Sequence, residues 1–173
     1  MNDYINFINT RRSTKGYEKD KQVPKELLEQ IAEAGTWAPT GMNSQSPIIL
    51  VVTDKETRDK LSELNAKVLG SSEDPFYGAP CVMVVLSDKS VPTYLYNGSL
   101  VAENLMLAAH ALDLGSCWIH RAKQMFEMPE GKEILAKLGI TGDYEGIANI
   151  VIGYPTNTLA PKPRKEDYVY WVE

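Results

Sequence analysis

Residues 92–114 place the tightest limit on what this chain can fold into. Leu100, Val101, Leu105, Met106, Leu107, Ala108, Ala111 and Leu112 recur there at spacings that reach more than one side of a helix. A helix that is apolar almost all round cannot turn a broad side to water, so several of its faces must be covered. A chain of 173 residues fits one domain with one core, spanning residues 1–173. Its own sheet can cover one side of the helix, and a second copy of the chain is the economical cover for another. The first expectation is therefore a dimer.

The rest of the pattern supplies the sheet and further helices. Residues 48–53, 81–86 and 147–154 read as buried strands, and 116–119 as a short extended piece. Residues 168–172, Tyr168-Val169-Tyr170-Trp171-Val172, read as a terminal strand after a Pro-rich connector. A helix at 3–11 brings Ile5, Phe7 and Ile8 near one face. Pro24 suits a first helical position; Leu27, Leu28, Ile31, Ala34 and Trp37 follow at helical spacing until Pro39 and Gly41 stop the run. Further helices are expected at 55–69 and around 131–138, and 41–47 must be irregular. Residues 70–78 read as a loop that could act as a lid.

Composition then excludes whole classes. With 43% hydrophobic and 24% charged residues, the chain can build a core without disulfide or metal staples. A net charge of -5 argues against a nucleic-acid surface, so any anion site must be local. Cys81 and Cys117 both sit in apolar runs and read as buried free thiols of a reduced, cytoplasmic protein. No basic region precedes an apolar run at the N-terminus, and no stretch approaches the roughly 20 apolar residues of a membrane span. The Gly-rich dinucleotide fingerprint, the P-loop, Gly-x-Ser-x-Gly and His-Glu-x-x-His are all missing, and with only His110 and His120 a metal cluster is not expected.

Three polar islands remain. Arg11-Arg12-Ser13-Thr14-Lys15 follows a helix end, where cations either complement the dipole in water or hold an anion. Residues 38–47, with Asn43 and Gln45, carry more hydrogen-bonding groups than a turn requires, which leaves loop and ligand contact both open. Lys162-Pro163-Arg164 reads as a charged linker, or as two cations on one side of an extended backbone that suit a phosphate dianion.

Taken together, from Arg11 to Arg164, these islands resemble the FMN-dependent nitroreductase family, with its Arg-Arg-Ser-x-Arg/Lys opening, Ala-Pro-Ser-x-x-Asn-x-Gln-Pro loop, Gly-x-x-x-Cys-Trp-like turn and late basic pair. The resemblance implies an α+β fold of three layers, a mostly antiparallel central sheet flanked by helices, with the C-terminal strand exchanged between protomers of a homodimer. It implies FMN as cofactor and NADH or NADPH as electron donor, with a small-molecule oxidant such as a nitroaromatic or quinone reduced in a ping-pong cycle.

By the same resemblance, Arg11, Arg12 and Ser13 serve the phosphate and ribityl end of FMN, and Lys15 its pyrimidine edge. A fixed cation at Lys15 would stabilise the charge that reduction places on N1 and O2. Pro39, Thr40 and Asn43 would reach the partner's flavin, so that each site is shared between subunits. Trp118, Ile119, His120 and Arg121 would lie against the ring, the backbone N–H of His120 meeting N5. Here the sequence departs from relatives that carry Gly, or Glu followed by Gly. Lys162 and Arg164 would return to the phosphate from the far end of the chain. No side-chain acid or base is implied; the flavin carries the chemistry.

Overall fold

The computed structural model describes residues 2–173. Four strands form one antiparallel sheet in the order β1-β2-β4-β3: β1 Pro47–Val52, β2 Cys81–Asp88, β3 Gly115–Ile119 and β4 Tyr144–Gly153. The two central strands are buried on both faces, which is why they read as unbroken apolar runs rather than alternating ones. Alternation survives in what each face meets. Cys81, Met83 and Val85 pack with Leu28 and Ile31 of α2 (Lys25–Thr36) and with Val101, Leu105 and Ala109 of α4 (Tyr94–Ala111). Val82, Val84 and Leu86 pack with Leu61 and Leu64 of α3 (Lys55–Leu69) and with Met125 and Phe126 of α5 (Ala122–Glu127). Together with α6 (Pro129–Lys137), these helices make the expected three layers.

Short α1 (Asp3–Thr10) buries no residue of its own. It attaches to the end of α4 through Phe7, whose ring stacks on His110 at 4.8 Å, and through the Thr10 hydroxyl, 3.1 Å from His110 Nε2. Only part of α4 is covered: Leu95, Tyr96 and Leu100 stay exposed along it, beside exposed Tyr4, Ile5 and Ile8 of α1.

Several sequence expectations change. Residues 48–53 form an edge strand, half-buried rather than buried, because β1 pairs only with β2. Trp37 lies past the end of α2 and is 79% exposed, so it is no core residue. Helix α5 escaped the sequence pattern because six residues give too short a period. Residues 70–78 are no lid. Phe76 is fully buried, and Asp74 accepts hydrogen bonds from Arg58 Nη2 at 2.7 Å, from the Ser62 hydroxyl, and from the N–H groups of Phe76 and Gly78. Burial alone would raise the Asp74 carboxyl, but the Ser62 and Arg58 hydrogen bonds hold it below the usual carboxylate range. Residues 168–172 find no ladder partner among the described residues; 155–173 run as an exposed arm. The arm leaves from a fixed point, with Thr156 N–H bonded to Gly16 O at 3.0 Å and Tyr17 bridged to Pro155.

Candidate functional site

Strand β3 has one partner, β4, and its other edge is met only by the segment that follows α1. Ser13 bridges Ser116 in parallel fashion, and Thr14 N–H donates to Ser116 O at 2.9 Å. The approach is close because residue 115 is glycine: a Cβ there would stand 2.6 Å from Thr14 Oγ1. This seam joins the first island to the segment at 115–121, about a hundred residues away in sequence.

At the head of the seam stands Arg11, its Nε 3.8 Å from Glu103 of α4. Arg11 Nη1 is buried and has no hydrogen-bond partner. A buried guanidinium nitrogen without a partner is costly, and an anionic ligand is the group that would satisfy it. Neighbouring Arg12 instead turns Nη1 back on Asn9 O and Arg11 O, at 2.6 and 2.7 Å, closing its own helix end. Lys15 is exposed, its ammonium 5.8 Å from the centre of the Tyr77 ring. Cys117 confirms the convergence electrostatically. Burial pushes its thiol up, opposed by the Ser13 hydrogen bond and by the charges of Lys15 and Arg11. A raised thiol in this setting is a packing group, not a nucleophile.

Beyond β3 the chain turns sharply. Trp118 and His120 are exposed, Ile119 is buried, and Arg121 takes a left-handed conformation at φ 79. Two buried amides grip this turn. Asn65 Nδ2 of α3 donates to His120 O at 2.7 Å, and Asn149 Nδ2 of β4 donates to Ile119 O at 3.3 Å. Sequence reasoning missed both, since an Asn on a polar helix or mid-strand gives no sign of burial.

The loop after α2 is placed elsewhere. Gly41–Asn43 form a single 3-10 turn, and Met42, Asn43 and Gln45 all have positive φ, at 54, 51 and 47. Three such side chains in four residues store strain that the surroundings must hold. Buried Asn97, near the start of α4, does so: its Oδ1 accepts from Gly41 N–H at 3.0 Å, and its Nδ2 donates to the hydroxyls of Ser44 and Ser46. Thr40 Oγ1 accepts from Gln45 N–H, while Pro39 and Asn43 are exposed. Arg11 meets Glu103 in the middle of α4 and Thr10 meets His110 near its end, whereas this loop sits at its start, so one chain does not join the two. Lys162 and Arg164 lie on the exposed arm and, among the described residues, form no ion pair. No group of three or more His, Cys, Asp or Glu that could hold a metal comes together among the described residues.

The geometry thus assembles a cationic seam and a clamped turn on one open sheet edge, and comparison with known proteins identifies the family whose fold carries them. A family model described as the nitroreductase family matches residues 8–154. A protein of Archaeoglobus fulgidus, provisionally named an NADH dehydrogenase/NAD(P)H nitroreductase, is 31% identical over 160 residues, 90% of this chain and 87% of that one. The Bacillus subtilis protein named FMN reductase (NAD(P)H) is 26% identical over 181 residues, 95% of this chain and 70% of the relative. A nitroreductase crystal structure with bound FMN, from Bacteroides fragilis, superposes with a TM-score of 0.90 at 25% identity, covering all of both chains. With its strand order, its N-terminal seam and 147 residues under one family model, this chain belongs to the nitroreductase family.

Proposed function

We propose that the chain is one subunit of a dimeric FMN-dependent NAD(P)H oxidoreductase that reduces small acceptors such as nitroaromatics or quinones. The observation that carries the reading is the buried, unpartnered Nη1 of Arg11 at the head of the Ser13–Ser116 seam. It fits the phosphate or ribityl end of a flavin nucleotide, and Arg12 and Ser13 stand beside it. Lys15 is then the cation at the pyrimidine edge, and Trp118, Ile119, His120 and Arg121 border the ring. When bound, FMN supplies the hydride-accepting centre that NAD(P)H and the oxidant use in turn.

This chain's residues bind and orient. The outward carbonyl of Ser116, taken by Thr14, fixes the alternation of β3, so the backbone N–H groups of Trp118 and His120 face the open edge rather than β4. Among the described residues the His120 N–H meets no acceptor, which suits a donor reserved for a ring nitrogen.

A dimer is supported by what is left uncovered: Leu95, Tyr96 and Leu100 on α4, the apolar arm from Tyr168 to Val172, and the unpaired edge of β1. Cavities of about 780 and 690 Å³ flank that edge around Val51 and Thr53, room for a strand with aromatic side chains. In this reading the arm of one subunit extends the sheet of the other, Lys162 and Arg164 approach the phosphate, and the strained loop at Pro39, Thr40 and Asn43 meets the partner's flavin. No helix among the described residues is long and apolar enough to cross a membrane, and we place the enzyme in the cytoplasm.

The test is spectroscopic. Purified protein reconstituted with FMN should be yellow, lose its colour with NAD(P)H in the absence of air, and regain it with a quinone or nitroaromatic. Protein that binds no FMN, or binds it and is not bleached by either nucleotide, would refute the assignment.

A further inference from the structure

The turn at Ile119–Arg121 is held more firmly than its connection requires. Asn65 and Asn149 come from elements in different layers, and both are fully buried. Their amides converge on two successive carbonyls. Asn149 Nδ2 lies 3.3 Å from Ile119 O and 3.4 Å from His120 O, and Asn65 Nδ2 lies 2.7 Å from His120 O. Each of the two peptide planes that flank His120 is therefore fixed at its oxygen.

Peptide geometry turns this into a directional statement. In a planar trans peptide the C=O of one residue and the N–H of the next point in opposite directions. The oxygen of Ile119 is drawn inward to Asn149, so the N–H of His120 must point outward, to the edge where Ser116 O meets Thr14 N–H. Asn65 secures the next plane at its oxygen and also holds the side chain of the residue that follows. Its Nδ2 holds His120 O, and its Oδ1 accepts from Arg121 Nε at 3.0 Å. Arg121 is the residue at φ 79, a conformation that glycine adopts freely and arginine does not. The bond from its side chain to Asn65 ties that strained residue to the same amide that sets the peptide before it.

Asn149 meanwhile leaves its own Oδ1 buried without a partner. An amide kept at such a position with its acceptor unsatisfied is retained for its donor. Neither asparagine serves the sheet or helix hydrogen bonding with these contacts; apart from the turn, each Nδ2 reaches Met125 Sδ of α5, at 3.1 Å from Asn65 and 3.4 Å from Asn149.

We propose that Asn65 and Asn149 are positioning residues of the flavin site: Asn149, holding Ile119 O, aims the His120 N–H of the same peptide, and Asn65, holding His120 O, fixes the peptide that follows and so keeps that aim. This rests on the FMN assignment above. Asn65 touches neither cofactor nor substrate. It acts through the direction of one backbone donor, so its loss should alter the electronic state of the flavin more than the amount bound.

Asn65→Asp separates the two roles of the amide. The aspartate oxygen still accepts from Arg121, while the donor to His120 O is lost and replaced by an acceptor facing it. The experiment compares FMN-reconstituted wild type and Asn65→Asp by FMN dissociation constant, visible absorption, midpoint potential and steady-state kinetics, with the fold checked by far-UV circular dichroism. Expected for the variant are a dissociation constant within about threefold of wild type, a shifted flavin band, a shifted midpoint potential, and kcat lowered on the order of tenfold or more with a smaller change in KM. The potential shifts because a donor at N5 acts differently on the oxidised ring, whose N5 accepts hydrogen bonds, and on the reduced ring, whose N5 carries hydrogen. Asn149→Asp should move the same readouts in the same direction.

A variant that binds FMN with wild-type spectrum and potential overturns the inference and leaves the FMN assignment standing. A variant that does not fold overturns it as well, because the amide is then structural. Wild-type protein that takes up no FMN removes the assignment and the inference together.

Discussion

Replacing Arg11 with Met should move apoprotein stability and cofactor affinity in opposite directions. In the free chain Nη1 is buried without a partner, and such a group carries a desolvation penalty of about 1–3 kcal/mol. Against this stands the contact between Nε and half-exposed Glu103 at 3.8 Å, which contributes about 0–1 kcal/mol. Methionine keeps an unbranched stem of similar length, so little packing is lost. The balance favours the variant by about 1 kcal/mol, which for a domain of this size raises Tm by roughly 2–4 °C. On the proposed FMN assignment the same guanidinium would make a charge-assisted hydrogen bond worth about 1.5–3 kcal/mol, and its loss should weaken binding roughly 10- to 150-fold. Thermal melts with and without FMN, at one subunit concentration, measure the first effect, and titration of flavin fluorescence measures the second. An apoprotein several degrees less stable, together with unchanged FMN affinity, would show that Arg11 is a structural residue and refute the reasoning.

The arm, the loop and the core offer four further tests. Lys162→Ala and Arg164→Ala should each weaken FMN binding on the order of tenfold and flatten its dependence on salt, as read by titration at two ionic strengths; unchanged affinity removes the arm from the phosphate. Truncation after Asn157 should convert dimer to monomer in sedimentation equilibrium, since it removes the apolar stretch from Tyr168 to Val172. Asp74→Ala leaves buried Arg58 with Asp59 as its remaining carboxylate, removes the acceptor of Ser62 and of the Phe76 and Gly78 N–H groups, and should cost about 2 kcal/mol, seen as a fall in Tm of several degrees. A true lid would tolerate that change. Burial pushes the Cys81 thiol from 9.0 up to about 12, so the native state keeps a proton that the unfolded chain releases. Its contribution to stability is complete below about pH 9 and declines as pH rises toward 12; a Cys81→Ala variant should lack that part of the alkaline slope in urea titrations.

What the sequence disclosed and what it withheld divide along one physical line. Helix α3 was legible to its last residue, because Asp54 caps one end through Thr57 N–H and Gly70 ends the other in the left-handed region. The central strands and α4 were legible because burial on several sides leaves a continuous apolar run. All of these are local signals. The Arg58–Asp74 pair that turns a supposed lid into a fixed loop spans sixteen residues and two elements. Asn65, Asn97 and Asn149 look like ordinary polar residues until the fold buries them beside backbone groups with no other partner.

The site itself was legible only as residue types, and its layout explains why. The folded chain brings the Arg11–Lys15 island to the segment at 115–121 along the edge of β3 and leaves the other two islands apart: a strained loop at the start of α4, and an extended arm. Backbone strain at Met42, Asn43 and Gln45 is sustained by Asn97, yet it serves nothing within the chain that strains it. An arm with five bulky apolar residues in its last six is likewise unstable in water by itself. Both features become economical when a second copy supplies what they face. On the proposed dimer, cofactor binding would be tied to assembly: the Arg11 seam is formed within one chain, while the loop and arm would acquire their contacts only between two. Mutations that weaken the dimer should therefore weaken FMN binding even when every residue of the Arg11 seam is intact.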